Sequence, residues 1–102
     1  MGLYQQYVDC FTDYDEETFR SIHHEDFIFL RETEMLTLDE HVEIITPLAT
    51  KEDWNWHKVA RLLYEDDYVS LTRWEDGNDV ITVTFYLKEG LCWRQLVNRV
   101  PR

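Results

Sequence analysis

Residues Asp79 to Leu87 alternate without a break, with Ile81, Val83, Phe85 and Leu87 on one side and Val80, Thr82, Thr84 and Tyr86 on the other. A helix of 3.6 residues per turn cannot sort side chains this way, so the segment is a strand with one face on a core. Glu75-Asp76-Gly77 precedes it and Lys88-Glu89-Gly90 follows it. Glycine stands third in each, where a three-residue hairpin loop takes a left-handed residue, so the strand sits inside an antiparallel meander. An odd loop count keeps odd residues opposite odd ones. This sets Leu71 opposite Ile81, Val69 opposite Val83, and Phe85 opposite Trp93. Glu65-Asp66-Asp67, treated likewise, adds Asn55 to Tyr64 as a further strand, with Leu63 opposite Val69. An odd face running from Val59 to Val97 then suits a helix-covered core. The even face carries Trp56, Tyr64, Tyr68, Trp74 and Tyr86, too aromatic for open solvent, and is expected to be an interface.

The first half reads as helices. Leu3, Tyr7, Cys10, Phe11 and Tyr14 share one stripe at 100° per residue. Asp15 is placed to cap a short second helix that buries Phe19 and Ile22, with His23 to Asp26 as its polar exit. Phe27 to Leu30 has the length and branching of a first strand. Thr37 and Glu40 have capping-box spacing ahead of a stripe of Leu38, Val42, Ile45 and Ala49, and Pro47 is expected to stop or kink that helix near Thr46.

Charge divides between the same two halves. Residues 1 to 53 hold 14 acids and three bases, residues 54 to 102 hold seven of each, and the chain of 102 residues carries −11. No Pro, Gly or Ser linker lies near residue 53, so the expectation is one domain, 1–102, with two unlike layers. The balance argues against nucleic acid and anionic membrane surfaces as partners. No apolar run nears membrane-span length, and the opening residues lack the regions of a signal peptide. Cys10 and Cys92 form neither a metal spacing nor a disulfide framework, which points to a reducing cytoplasm.

Helix, short helix, strand, helix and a long meander is an order that resembles the NTF2-like superfamily, which includes SnoaL-like cyclases and ketosteroid isomerases. Tyr7-Val8-Asp9-Cys10-Phe11 through Asp15, Phe19, Ile22, Asp26 and Phe27 is similar to the family's opening. Trp56-His57-Lys58-Val59 and Cys92-Trp93-Arg94 resemble its first long strand and its last. The resemblance covers nearly the whole chain. It implies an α+β cone, three N-terminal helices packed on a curved antiparallel sheet, with a pocket between them and dimerisation through the outer sheet face. The paired acids and tyrosine of the isomerases have no residue-by-residue match.

Inward parity near a strand start makes His57 the candidate acid or base, a place where several family enzymes keep a pocket histidine; the alternative is a hydrogen-bonded histidine at a sheet edge. Arg61, four residues on, is either a carboxylate clamp or half of an internal ion pair. Gln95 is inward beside Val83, and Tyr7, Tyr14 and Trp93 complete the expected pocket wall. Arg73, Asp79 and Arg99 form a cross-strand charge ladder on this register. In His23-His24-Glu25-Asp26 adjacent side chains diverge, so no metal is expected, and no cofactor. His41 reads as a boundary residue of the third helix.

Three functions stay open on these residues. The first is a homodimer that binds a compact, partly apolar small molecule in a helix-lined pocket. The second is an isomerase, cyclase or dehydratase using His57, with Tyr14 or Arg61 steadying the oxygen. The third is a protein-interaction module working through the aromatic outer face.

Overall fold

The computed structural model describes residues 2–102. Helices α1 (Leu3–Thr12) and α2 (Glu16–Ser21) lead into a hairpin of β1 (His23–Arg31) and β2 (Glu34–Thr37). Helix α3 (Leu38–Ala49) and a single turn, α4 (Trp56–Val59), precede the meander β3 (Arg61–Glu65), β4 (Val69–Asp76), β5 (Asp79–Lys88) and β6 (Leu91–Pro101). The six strands form one curved, unclosed sheet in the order β2-β1-β6-β5-β4-β3, antiparallel except where β1 runs parallel to β6.

The helix starts follow from local chemistry. The Asp15 carboxylate accepts the Thr18 N–H at 3.0 Å and caps α2. Thr37 and Glu40 form the reciprocal capping box that opens α3. Helix α1 has no side chain at its N-cap, because that residue is Gly2, and its Tyr4 N–H donates instead to Glu65 Oε2 at 2.9 Å. A Cβ at Gly2 would lie 1.7 Å from that carboxylate, so glycine is what admits the distant cap. Pro47 does not stop α3, which runs on to Ala49; the proline lies in the last turn, where it forfeits its own N–H bond and crowds the Glu43 carbonyl but leaves little helix beyond it to disrupt. The Thr50 hydroxyl and N–H both serve the carbonyl of Thr46 there.

The meander differs from the expected register at both glycine turns. Asp76 pairs with Asp79, so the β4–β5 loop is the two residues Gly77-Asn78, and Gly77 alone has positive φ (61°), as a turn with glycine first requires. Trp74 is therefore opposite Ile81, Thr72 opposite Val83 and Ser70 opposite Phe85. One residue of loop length has turned β4 over, and Ser70, Thr72 and Trp74 share the inward face with Ile81, Val83 and Phe85. The β5–β6 loop is also of two residues, Glu89-Gly90, but a bulge beside Leu87 restores odd-to-odd pairing beyond it. Phe85 accordingly faces Gln95 and Val83 faces Val97, while Trp93 falls in the bulge. The predicted strand from Asn55 is the turn α4 up to Val59, and strand begins only at Arg61. A second bulge leaves Leu63 unpaired, and Tyr64 opposes Leu71. The Asp66 carboxylate, accepting the N–H groups of Tyr68 and Val69, shapes that turn without a glycine. His23 to Asp26 is not an exit from α2 but the first half of β1, with both histidines buried.

The core lies between the helices and the inward sheet face. Phe19, Phe27, Leu3 and Val83 are each at most 2% exposed. Tyr7 is its centre, its ring 5.0 Å from that of Phe85 and within about 6 Å of Phe11, Phe19 and Trp56.

Candidate functional site

Between α3, the α3–α4 loop and the inward sheet face lies a cavity of about 220 Å³. Its floor is Ile81, Val83 and Phe85 of β5 with Gln95 and Val97 of β6. Tyr7, Phe11, Trp54, Trp56 and Trp74 close one end. His41, Ile44 and Leu48 of α3 form the other wall, and Arg31, Glu34 and Arg99 stand among the lining residues.

Three of these wall residues carry a buried polar atom with no hydrogen-bond partner among the described residues: His41 Nδ1, Trp54 Nε1 and Gln95 Oε1. None of the three finds a partner among the described residues, and a buried polar group left without one costs roughly 1–3 kcal/mol. His41 is only 4% exposed, its ring stacked on Phe29 at 4.6 Å. Burial, helped by His23 and Arg31 nearby, pushes its pKa down to about 3, so the ring is neutral.

Beside it a second histidine is fully engaged. His23 Nδ1 lies 2.7 Å from the carbonyl of Phe19, and a carbonyl only accepts, so Nδ1 carries the proton. Burial holds His23 down to about 4 and hence neutral. Nε2 is then an acceptor, and the Tyr7 hydroxyl, 2.6 Å away, donates to it. Tyr7 itself is pushed well above the ordinary phenol range by burial. Cys92 beneath is raised to about 12 for the same reason, so neither supplies an anion at neutral pH.

The charged rim is internally matched. Arg31 Nη2 donates to Glu34 at 2.8 Å, and Arg99 donates to Asp79 at 2.6 Å and to Asp76 at 3.0 Å. Arg73 is outside the expected ladder, because the turned strand places it on the outer face against Thr82.

Of the residues expected at a pocket, Tyr7 and Gln95 line this cavity, Gln95 opposite Phe85 rather than beside Val83. His57 stands on α4, in a separate polar hollow with Tyr14, Asp13 and Lys58, its Nδ1 buried and without a hydrogen-bond partner among the described residues. The Tyr14 hydroxyl bonds Thr46 Oγ1 at 2.8 Å. Arg61 is exposed at the start of β3, and Trp93 lies under the Arg94 guanidinium at 3.7 Å. Of the expected interface residues, Tyr64, Tyr68 and Tyr86 are exposed, whereas Trp56 and Trp74 are cavity-wall residues. His41 and Trp54 were missed. His41 had a signal, since Leu38, His41, Val42 and Ile45 follow i, i+3, i+4, i+7 spacing and place it within the apolar stripe. Among the described residues no group of His, Cys, Asp or Glu could hold a metal ion, and no helix is long and apolar enough to cross a membrane.

No protein-family model matches the chain, and no curated protein matches it in sequence. Solved structures do match it in shape. A candidate ketosteroid isomerase from Kribbella flavida DSM 17836 superposes with a TM-score of 0.68 at 17% identity, over 98% of this chain and 76% of that one. An NTF-2 like protein of unknown function from Burkholderia xenovorans LB400 does so with a TM-score of 0.66 at 8% identity, over 98% and 81%. A de novo designed protein with a curved β-sheet gives 0.66 at 10%, over 97% and 83%. Identities this low speak for fold alone, and a designed chain among the matches makes the same point. Helices laid on the concave side of a curved, unclosed sheet, in this strand order, give the chain the NTF2-like fold.

Proposed function

We propose that the protein binds a compact, largely apolar small molecule in the cavity between α3 and the sheet, without assured chemistry on it. The observation that carries this reading is the coincidence of an apolar, aromatic cavity with three unpartnered polar atoms on its wall. Ligand sites combine apolar walls with a few convergent polar groups in this way. A thermal-shift screen of neutral fragments tests it. Several fragments should raise the melting temperature, and Val97→Phe, which fills the floor, should abolish the shift. A fragment set that leaves the melting temperature unmoved refutes the reading.

The functional unit is a homodimer in this proposal. The registers join Met35, Leu30, Leu96, Thr84, Leu71 and Tyr64 into one row that crosses all six strands on the outer face. Met35 is 66% exposed, Tyr64 55% and Leu96 38%, with Tyr86 nearby. A row of this length, apolar at every position but Thr84, supports a second copy as its cover. Light scattering should report twice 12.5 kDa, and Leu96→Glu should halve it; a monomeric parent sinks the dimer. A reducing, cytoplasmic setting belongs to the same reading, supported by the buried free thiols of Cys10 and Cys92.

A second reading, acid–base catalysis of the isomerase, cyclase or dehydratase kind by His57, is favoured by one observation, the unpartnered Nδ1 in its polar hollow. Loss of turnover with retained binding in His57→Asn would support it. Unchanged turnover would exclude it.

A further inference from the structure

The polar atoms left over on the cavity wall are not interchangeable, and their directions describe a ligand. Trp54 Nε1–H can only donate, so it calls for an acceptor. Gln95 Oε1 can only accept, so it calls for a donor. His41 Nδ1 takes either role according to its tautomer. His41 is more than nine-tenths buried and forms part of the cavity wall, so this is a built site and not a surface accident.

Charge narrows the choice. Among the described residues the charged groups lining the cavity are Arg31, Glu34 and Arg99. Each is already paired, Arg31 with Glu34, and Arg99 with Asp76 and Asp79. The rim charges are balanced locally, so no net cation or carboxylate is left over to offset the desolvation of a charged guest entering an apolar cavity. The buried histidines do not help either, since burial keeps both neutral. Size narrows it again, because about 220 Å³ falls below the roughly 300–1,000 Å³ of sites for drug-sized molecules. Rings from Tyr7, Phe11, Phe29, Trp54, Trp56 and Phe85 on the wall favour a flat, unsaturated guest.

Resting on the cavity-binding reading above, we propose that the ligand is a neutral one- or two-ring aromatic molecule carrying one hydroxyl donor and one carbonyl-type acceptor, the acceptor held by Trp54 and the donor by Gln95. Charged analogues of the same shape are rejected at the matched rim.

Isothermal titration at pH 7 with four probes tests this: 4-hydroxyacetophenone, its charged analogue 4-hydroxybenzoate, 4-methylacetophenone and toluene. The neutral hydroxyketone should bind about 10-fold more tightly than 4-methylacetophenone, which offers Gln95 no donor, and at least about 10-fold more tightly than the benzoate. Trp54→Phe should weaken the hydroxyketone by about 10-fold more than it weakens toluene, which reads the lost wall area alone. Retained toluene binding shows that the variant keeps its cavity. Binding of 4-hydroxybenzoate as tight as that of the hydroxyketone, or a hydroxyketone affinity untouched by Trp54→Phe and Gln95→Met, overturns the inference. Toluene binding with no preference among the other probes overturns it too while leaving the cavity reading in place. Failure of all four probes overturns both.

Discussion

Acidification from pH 7 to pH 5 should remove about 4 kcal/mol of stability, through two histidines that the fold buries as neutral rings. Both groups are held below the ordinary value of 6.5, His23 at about 4 and His41 at about 3, with desolvation as the main cause. The unfolded chain therefore binds protons below about pH 6.5 that the folded chain refuses, and stability falls as pH falls. It is intact above about 6.5, declines through the interval down to the folded values, and is lost in full below them. At pH 5 each histidine is almost wholly protonated when unfolded and almost wholly neutral when folded, which is worth about 2 kcal/mol apiece. Near pH 5 the slope should approach about 2.7 kcal/mol per pH unit, two protons' worth. Against a total of about 5–15 kcal/mol for a domain, this brings the protein close to unfolding in mild acid. Urea denaturation followed by circular dichroism at half-unit steps from pH 8 to pH 4.5 reads it directly. His41→Leu should keep the fold and roughly halve the slope. A stability that stays flat within about 1 kcal/mol from pH 7 to pH 5, or a slope unchanged in His41→Leu, would refute the account of two neutral buried rings.

Two further perturbations probe single contacts. Tyr7→Phe keeps the ring against Phe85 but strands His23 Nε2 as a buried acceptor. A loss of about 1–3 kcal/mol in urea denaturation at pH 7.5 is expected, and a loss under about 0.5 would show that the hydroxyl is not His23's donor. Glu89 adopts positive φ (56°) ahead of Gly90 (77°), a turn that prefers Asn-Gly. Glu89→Asn should stabilise by about 0.5–1 kcal/mol, read as a higher melting temperature, and a lower one would contradict the left-handed assignment.

The helix layer was legible in the sequence because its signals are local. The stripe of Leu3, Tyr7, Cys10 and Phe11 is buried as its period requires, Asp15 caps α2, and the Thr37 and Glu40 box opens α3. The alternation of β5 likewise faced Ile81, Val83 and Phe85 to the core. Each of these depends on residues within a turn or two of one another, where periodicity and capping chemistry decide the outcome. Register was another matter. A hairpin loop one residue shorter than expected turned β4 over, sent Trp74 inward and put Ser70 and Thr72 beneath the helices, and bulges beside Leu63 and Leu87 reset the parity again. A period of two has no memory of such single-residue steps, which are chosen by how the paired strands bury their faces together. The cavity depends on those choices. His23 is placed by a parallel pairing of β1 with the distant β6, and the grouping of His41, Trp54 and Gln95 joins residues from a helix, a loop and the last strand. Local pattern determined which segments are helix and strand and which faces are apolar; only the tertiary pairing, acting across the whole chain, decided which polar atoms ended up together without partners.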